Sequence, residues 1–151
     1  MQEASILLVC SSSLVQCGIY VEKSLIKKYE SRQKTLDALL ELWIEIKKHY
    51  QVGAIFYARG PNSLSALKLL HIFVHTLKNL TNLELFAVDH FYFNKQQAIR
   101  AFGSQFFIKK DGEISLENRE CEILNDFMLP EKLQREDFNQ ECVPLYIVPP
   151  I

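Results

Sequence analysis

A chain of 151 residues with 17 Lys and Arg against 18 Asp and Glu, 48% of it hydrophobic, is sized for one globule and not for two full domains. It should bury roughly 68–70% of the surface its unfolded form exposes, enough for a core without disulfide or metal staples. The net charge of -1 argues against a chain held to nucleic acid by bulk charge, and no apolar run reaches the roughly 18–20 residues of a membrane-crossing helix.

Ile6 to Val9 is an unbroken β-branched and leucine run that stops at Ser11-Ser12-Ser13, which predicts a central strand buried on both faces and followed by a loop. The short segments Gly18 to Val21 and Ser24 to Tyr29 predict a hairpin beside it. From Lys34 to Tyr50 the period becomes helical, with Leu36, Leu39, Leu40, Trp43, Ile44, Ile46 and Tyr50 on one side and Asp37, Glu41, Glu45 and Lys48 on the other. Gly53 to Tyr57 reads as the next strand and Ala58 to Ser63 as a turn. Asn62 or Ser63 would then cap a second helix from Leu64 to about Leu80. Leu83 to Val88 is a further strand with Asp89 at its carboxyl end. This alternation predicts an α/β sheet with flanking helices, any ligand lying at the carboxyl ends of the strands.

Beyond Asn94 a hairpin is expected from Gln105 to Lys109, the Asp111-Gly112 turn and Glu113 to Leu116, then a weakly patterned acidic segment. Val143 to Pro150 reads as a closing strand, and the prolines that bracket it place it at a sheet edge. Residues 1–93 therefore read as one lobe and 94–151 as a reduced second lobe packed into the same globule. The doublets Lys27-Lys28, Lys47-Lys48 and Lys109-Lys110 read as solvated surface.

Residue chemistry points away from catalysis. Cys10, Cys17, Cys121 and Cys142 form no Cys-x-x-Cys pair and suit reduced thiols in a cytoplasmic protein. His71 and His75 are one helical turn apart, but they share a stripe with Lys68 and Lys78 and have no carboxylate between them. A basic surface stripe is expected, not a metal site. Ser11, Ser12 and Ser13 lack a glycine elbow and a spaced base, and Asp89 and His90, being adjacent, should point apart. No catalytic residue, metal or cofactor is expected.

The stretch Arg59-Gly60-Pro61-Asn62-Ser63-Leu64-Ser65-Ala66-Leu67-Lys68 puts Gly-Pro in a strand-to-helix turn with hydroxyls at the helix start. It resembles the signature Gly-Arg-Gly-Pro-Gly-Ser-Phe-Thr-Gly-x-Arg of the bacterial TsaB family, with Ala58, Asn62, Leu64, Ser65 and Lys68 replacing the family's residues. Cys10-Ser11-Ser12 stands where the family reads Asp-Thr-Ser, and Pro144-Leu145-Tyr146 is similar to its closing Pro-x-Tyr. Arg59, Gly60, Pro61, Asn62, Ser63, Ser65 and Lys68 are the positions that carry the likeness.

This resemblance implies an actin-like ATPase (ribonuclease H-like) half-domain and a non-catalytic partner of TsaD in making threonylcarbamoyladenosine on tRNA, with tRNA involved only indirectly. An actin-like ATPase needs a carboxylate beside its first strand and glycine-lined phosphate loops. Here Cys10 stands at the first position, and the five glycines are scattered. Both helices have apolar arcs wider than one core needs. The resemblance implies that helices 34–50 and 64–80 dock on TsaD, with Leu36, Leu39, Leu40, Trp43, Leu67, Leu70, Val74 and Leu77 as candidate contacts. A homodimer would form through the same patch when the chain is alone. A stand-alone homodimeric scaffold and a small actin-like nucleotide-binding enzyme are the alternatives.

Overall fold

The computed structural model describes residues 1–95, 97–101, 103–119 and 127–147. Strand β1 (Gln2–Cys10) lies at the centre of a five-stranded sheet, antiparallel to β2 (Val15–Val21) and parallel to β4 (Tyr50–Ala58). Beyond β2 lies β3 (Ser24–Ser31), and beyond β4 lies β5 (Glu84–Val88), giving the order β3-β2-β1-β4-β5. The central run is apolar at every position because both of its faces are covered. Ile6, Leu8 and Cys10 join the core on one side, and Leu7 and Val9 join the core on the other.

Helices α1 (Thr35–Lys47) and α2 (Leu64–Thr81) cover the first face, through Ala38, Leu39 and Ile46 of α1 and Leu70, Phe73, Val74 and Leu77 of α2. The second face is covered by the chain after β5: Phe91, Phe93, Ile99, Phe107, Phe127, Leu129, Leu133 and Phe138 close over Leu7, Val9, Tyr20 and Phe56. Part of that cover is a small antiparallel sheet of β6 (Ala98–Arg100), β7 (Gln105–Lys110) and β8 (Glu113–Asn118). Among the described residues, no helix is long and apolar enough to cross a membrane.

The central strand, the first hairpin, both helices and the β7–β8 hairpin stand where the sequence places them, with three differences. Tyr50 does not end α1 but opens β4, where it pairs with Gln2. The helix closes earlier, as the amides of Lys48 and His49 bond back to Glu45 and Ile46. The three-residue β6 lies too close to its neighbours to leave a period in the sequence. Residues 143–147 form no strand. Pro144 has no amide to give a ladder, and this segment crosses the end of the sheet instead of running along its edge. Residues 148–150 of the expected closing strand, Cys121 and the 120–126 part of the acidic segment lie outside the described residues.

Candidate functional site

The carboxyl ends of β1, β4 and β5 bring together the Ser11–Ser13 loop, the Arg59–Ser63 turn and Asp89-His90, as the order of the parallel strands requires. Cys10 is fully buried there, and burial pushes its thiol up to about 12. His90 is fully buried as well. Its backbone amide donates to Gly60 O at 2.8 Å, and its ring Nε2 lies 2.8 Å from Cys10 O. A carbonyl only accepts, so Nε2 carries the proton, and Nδ1 is left without a partner. Desolvation lowers the ring's pKa to about 4, against weaker raising contributions from its backbone bonds and Asp89. The imidazole is therefore neutral at pH 7. Asp89 turns the other way and accepts from Lys109 Nζ at 2.7 Å and Gln140 Nε2 at 3.1 Å. The two neighbours diverge, and no acid–base pair forms.

The motif residues build the turn and tie the chain's later segment across it. Gly60 has φ 124, and a Cβ there would stand 2.5 Å from Leu145 O, so this position takes only glycine. Leu145 N donates to Arg59 O at 2.7 Å, Arg59 Nε to Val143 O at 2.8 Å and Arg59 Nη1 to Gln140 Oε1 at 3.1 Å. Asn62 Oδ1 accepts from Ser63 N at 2.8 Å, and Ser63 Oγ caps α2 by accepting from Ala66 N at 3.4 Å. Ser65 Oγ is 3.2 Å from Ser63 Oγ, Lys68 is exposed, and Pro61 is buried in the turn. Residues 140–145 thus form a strap over the edge where an α/β protein ordinarily receives a ligand.

His71 and His75 do not line a free basic stripe. Both are half-buried with ring centroids 4.3 Å apart, and His75 Nε2 donates to Cys142 O of the strap at 2.8 Å. Burial, then the neighbouring His75, lowers the pKa of His71. Among the described residues no three His, Cys, Asp or Glu side chains converge as metal ligands. Cys10, Cys17 and Cys142 are free thiols.

The helix residues divide sharply. Leu39, Leu67, Leu70, Val74 and Leu77 are buried within the chain, Leu39, Leu70, Val74 and Leu77 in the core between helices and sheet, and present little surface for a partner. Leu36 and Leu40 remain 41% and 45% exposed, joined by Ile44 at 59%, and the spacing of four sets these three in one stripe along α1. On α2, Ile72 and Leu80 are also exposed. Trp43 is half-buried where the two helices meet, edge-on to Phe73 at 6.5 Å. Ile44 lies on the apolar arc visible in the sequence. Ile72 is marked only by being a large aliphatic between two half-buried histidine turns.

The mixed sheet, with two helices on one face, is an α/β fold of the actin-like, ribonuclease H-like type. Solved structures share it. YeaZ from Pseudomonas aeruginosa matches with a TM-score of 0.57 and 16% identity, over 79% of this chain and 65% of that one. A crystal structure of an uncharacterized protein with similarity to peptidase YeaZ, from Pseudomonas aeruginosa, matches with a TM-score of 0.55 and 16% identity over the same shares. The chain thus spans 65% of the length of these two neighbours. No family model and no curated protein matches the sequence.

Proposed function

We propose that this chain is a TsaB-like, non-catalytic partner subunit that docks on a TsaD-like protein through α1 and α2. In this reading it supports threonylcarbamoyl modification of adenosine 37 of tRNA in the cytoplasm. The observation that carries the reading is the aliphatic stripe Leu36, Leu40 and Ile44 left uncovered on α1, with Ile72 on the helix packed beside it. Burying such a side chain from full exposure gains roughly 1.5–3 kcal/mol, and with these already about half covered a partner gains roughly half of that at each, enough over several of them to offset part of the cost of association. The YeaZ-type fold and the Arg59–Lys68 motif support the choice of partner.

The chain contributes surface, and its strap-covered strand edge does not serve as a nucleotide pocket. In the absence of a partner the same stripe pairs two copies. Co-expression with a TsaD protein tests the reading with the exposed pair Leu40→Glu and Ile44→Glu. The double variant is expected to keep the far-ultraviolet spectrum of the wild type, and its thermal midpoint in dilute solution, and to lose the co-purifying TsaD. Co-purification at wild-type yield would refute the interface, and heat evolved on titrating magnesium-ATP would favour the nucleotide-binding alternative.

A further inference from the structure

Strand β3 forms one edge of the five-stranded sheet, and among the described residues the backbone hydrogen bonds that reach it from beyond the sheet lie at its start. Leu25 N donates to Glu131 O at 2.9 Å, and Ser24 bridges Lys132. Five of the twelve residues from 23 to 34 are cations, namely Lys23, Lys27, Lys28, Arg32 and Lys34, and all are exposed. Lys132, also exposed, joins them with Nζ 2.6 Å from Ser24 Oγ. The acids of the same edge are Glu22, Glu30 and Glu131, and Glu45 of α1 bears electrostatically on Lys27. Among the described residues none of the six cations ion-pairs with a carboxylate. In a chain whose net charge is -1, this surplus is a local asymmetry.

The eight residues of β3 extend about 26 Å at roughly 3.3 Å per residue, so the cations form a line and not a point. Lys27 and Lys28 are consecutive and project to opposite faces, with Lys27 Nζ 4.8 Å from the Tyr29 ring centroid. Such an edge suits one kind of occupant. A peptide adding as a further strand wants a bare edge with side-chain pockets, and lysines on the edge oppose it. A phosphate backbone asks only for mobile positive charges distributed along its path.

We propose that the β3 edge, with the Arg32–Lys34 loop and Lys132, is a binding surface for the phosphate backbone of RNA. The surface stands on charge placement alone and does not depend on α1 and α2 docking on a partner. Lys27-Lys28 is then a working part of the surface and not merely solvated.

Fluorescence anisotropy of the full chain with a labelled tRNA transcript tests this. Binding is expected at 50 mM salt, weakening with a log–log slope of about -2 to -4 as three to five phosphate contacts are screened. Charge reversal by Lys27→Glu, Lys28→Glu and Arg32→Glu should weaken binding at least about tenfold at an unchanged melting temperature, while Lys95→Glu with Lys110→Glu should leave it unchanged. No binding at 50 mM salt, or binding within about twofold after the triple reversal, would overturn the proposal. So would polyglutamate binding more tightly than tRNA through the same three residues, which would assign the edge to an acidic protein. Leu40 and Ile44 are untouched in the triple variant, so failure here and failure of the docking reading are read separately.

Discussion

His90 Nε2 reaches across the turn after β4 to the carbonyl of Cys10 at 2.8 Å, joining the ends of β5 and β1 through a neutral, buried ring. Its pKa of about 4 lies below the roughly 6.5 of an unfolded histidine. Above pH 6.5 neither state is protonated and the ring adds no pH dependence. As the pH falls from 6.5 toward 4 the unfolded chain takes up a proton and the folded chain does not, so stability drops by up to roughly 3 kcal/mol. The urea midpoint should therefore fall across that window, and His90→Gln should flatten part of the decline. An NMR titration placing the native ring's pKa at 6.5 or above would contradict the burial argument.

Gly60→Ala forces a Cβ into the 2.5 Å approach of Leu145 O at a φ of 124. The strap must move or the turn must strain, at a cost of order 1–3 kcal/mol. Amide exchange at Leu145, whose N–H bonds to Arg59 O, should accelerate more than exchange in β1. Equal protection in variant and wild type would mean that the strap does not rest on this contact.

Truncation separates the two halves of the helix arcs. Leu70→Ala, at a fully buried position, should cost about 2–5 kcal/mol by transfer and cavity terms. Leu40→Ala, 45% exposed in the single chain, should stay within about 1 kcal/mol in denaturant titrations at concentrations too dilute for two copies to pair. Similar losses at the two sites in such dilute protein would mean that Leu40 is covered within the single chain.

Thiol reactivity should track burial. Cys10 is pushed up to about 12, and Cys17 is raised by burial and by Cys10, whereas Cys142 is half-buried in the strap. Iodoacetamide at pH 8 and then peptide mapping should find Cys142 modified well before Cys10 and Cys17 in the native protein. Comparable rates at Cys10 would show that the strand edge opens.

The sheet and its helices could be read from the sequence because their periods are long and uninterrupted, from Ile6 through Val9 and from Leu36 through Ile46. Leu39 and Leu40 show where that reading stops: they are neighbours on one arc, yet Leu39 faces the sheet and Leu40 faces outward. Only the position of the sheet decides between them, and a wheel does not contain it. Arg59 and Gly60 are legible as a turn, but the bonds of Arg59 to Gln140, Val143 and Leu145 reach more than eighty residues along the chain and leave no local trace. In the sequence Lys27-Lys28 reads as one solvated doublet among three, because Lys132 meets Ser24 across 108 residues and composition averages the edge cations against distant acids.

Trp43 is the chain's single tryptophan, placed where α1 meets α2. Its emission therefore reports on that junction and on nothing else. A blue shift or a change in acrylamide quenching on mixing with another protein would track occupation of the helix pair in unlabelled material, and dilution alone would reveal whether two copies had been sharing it.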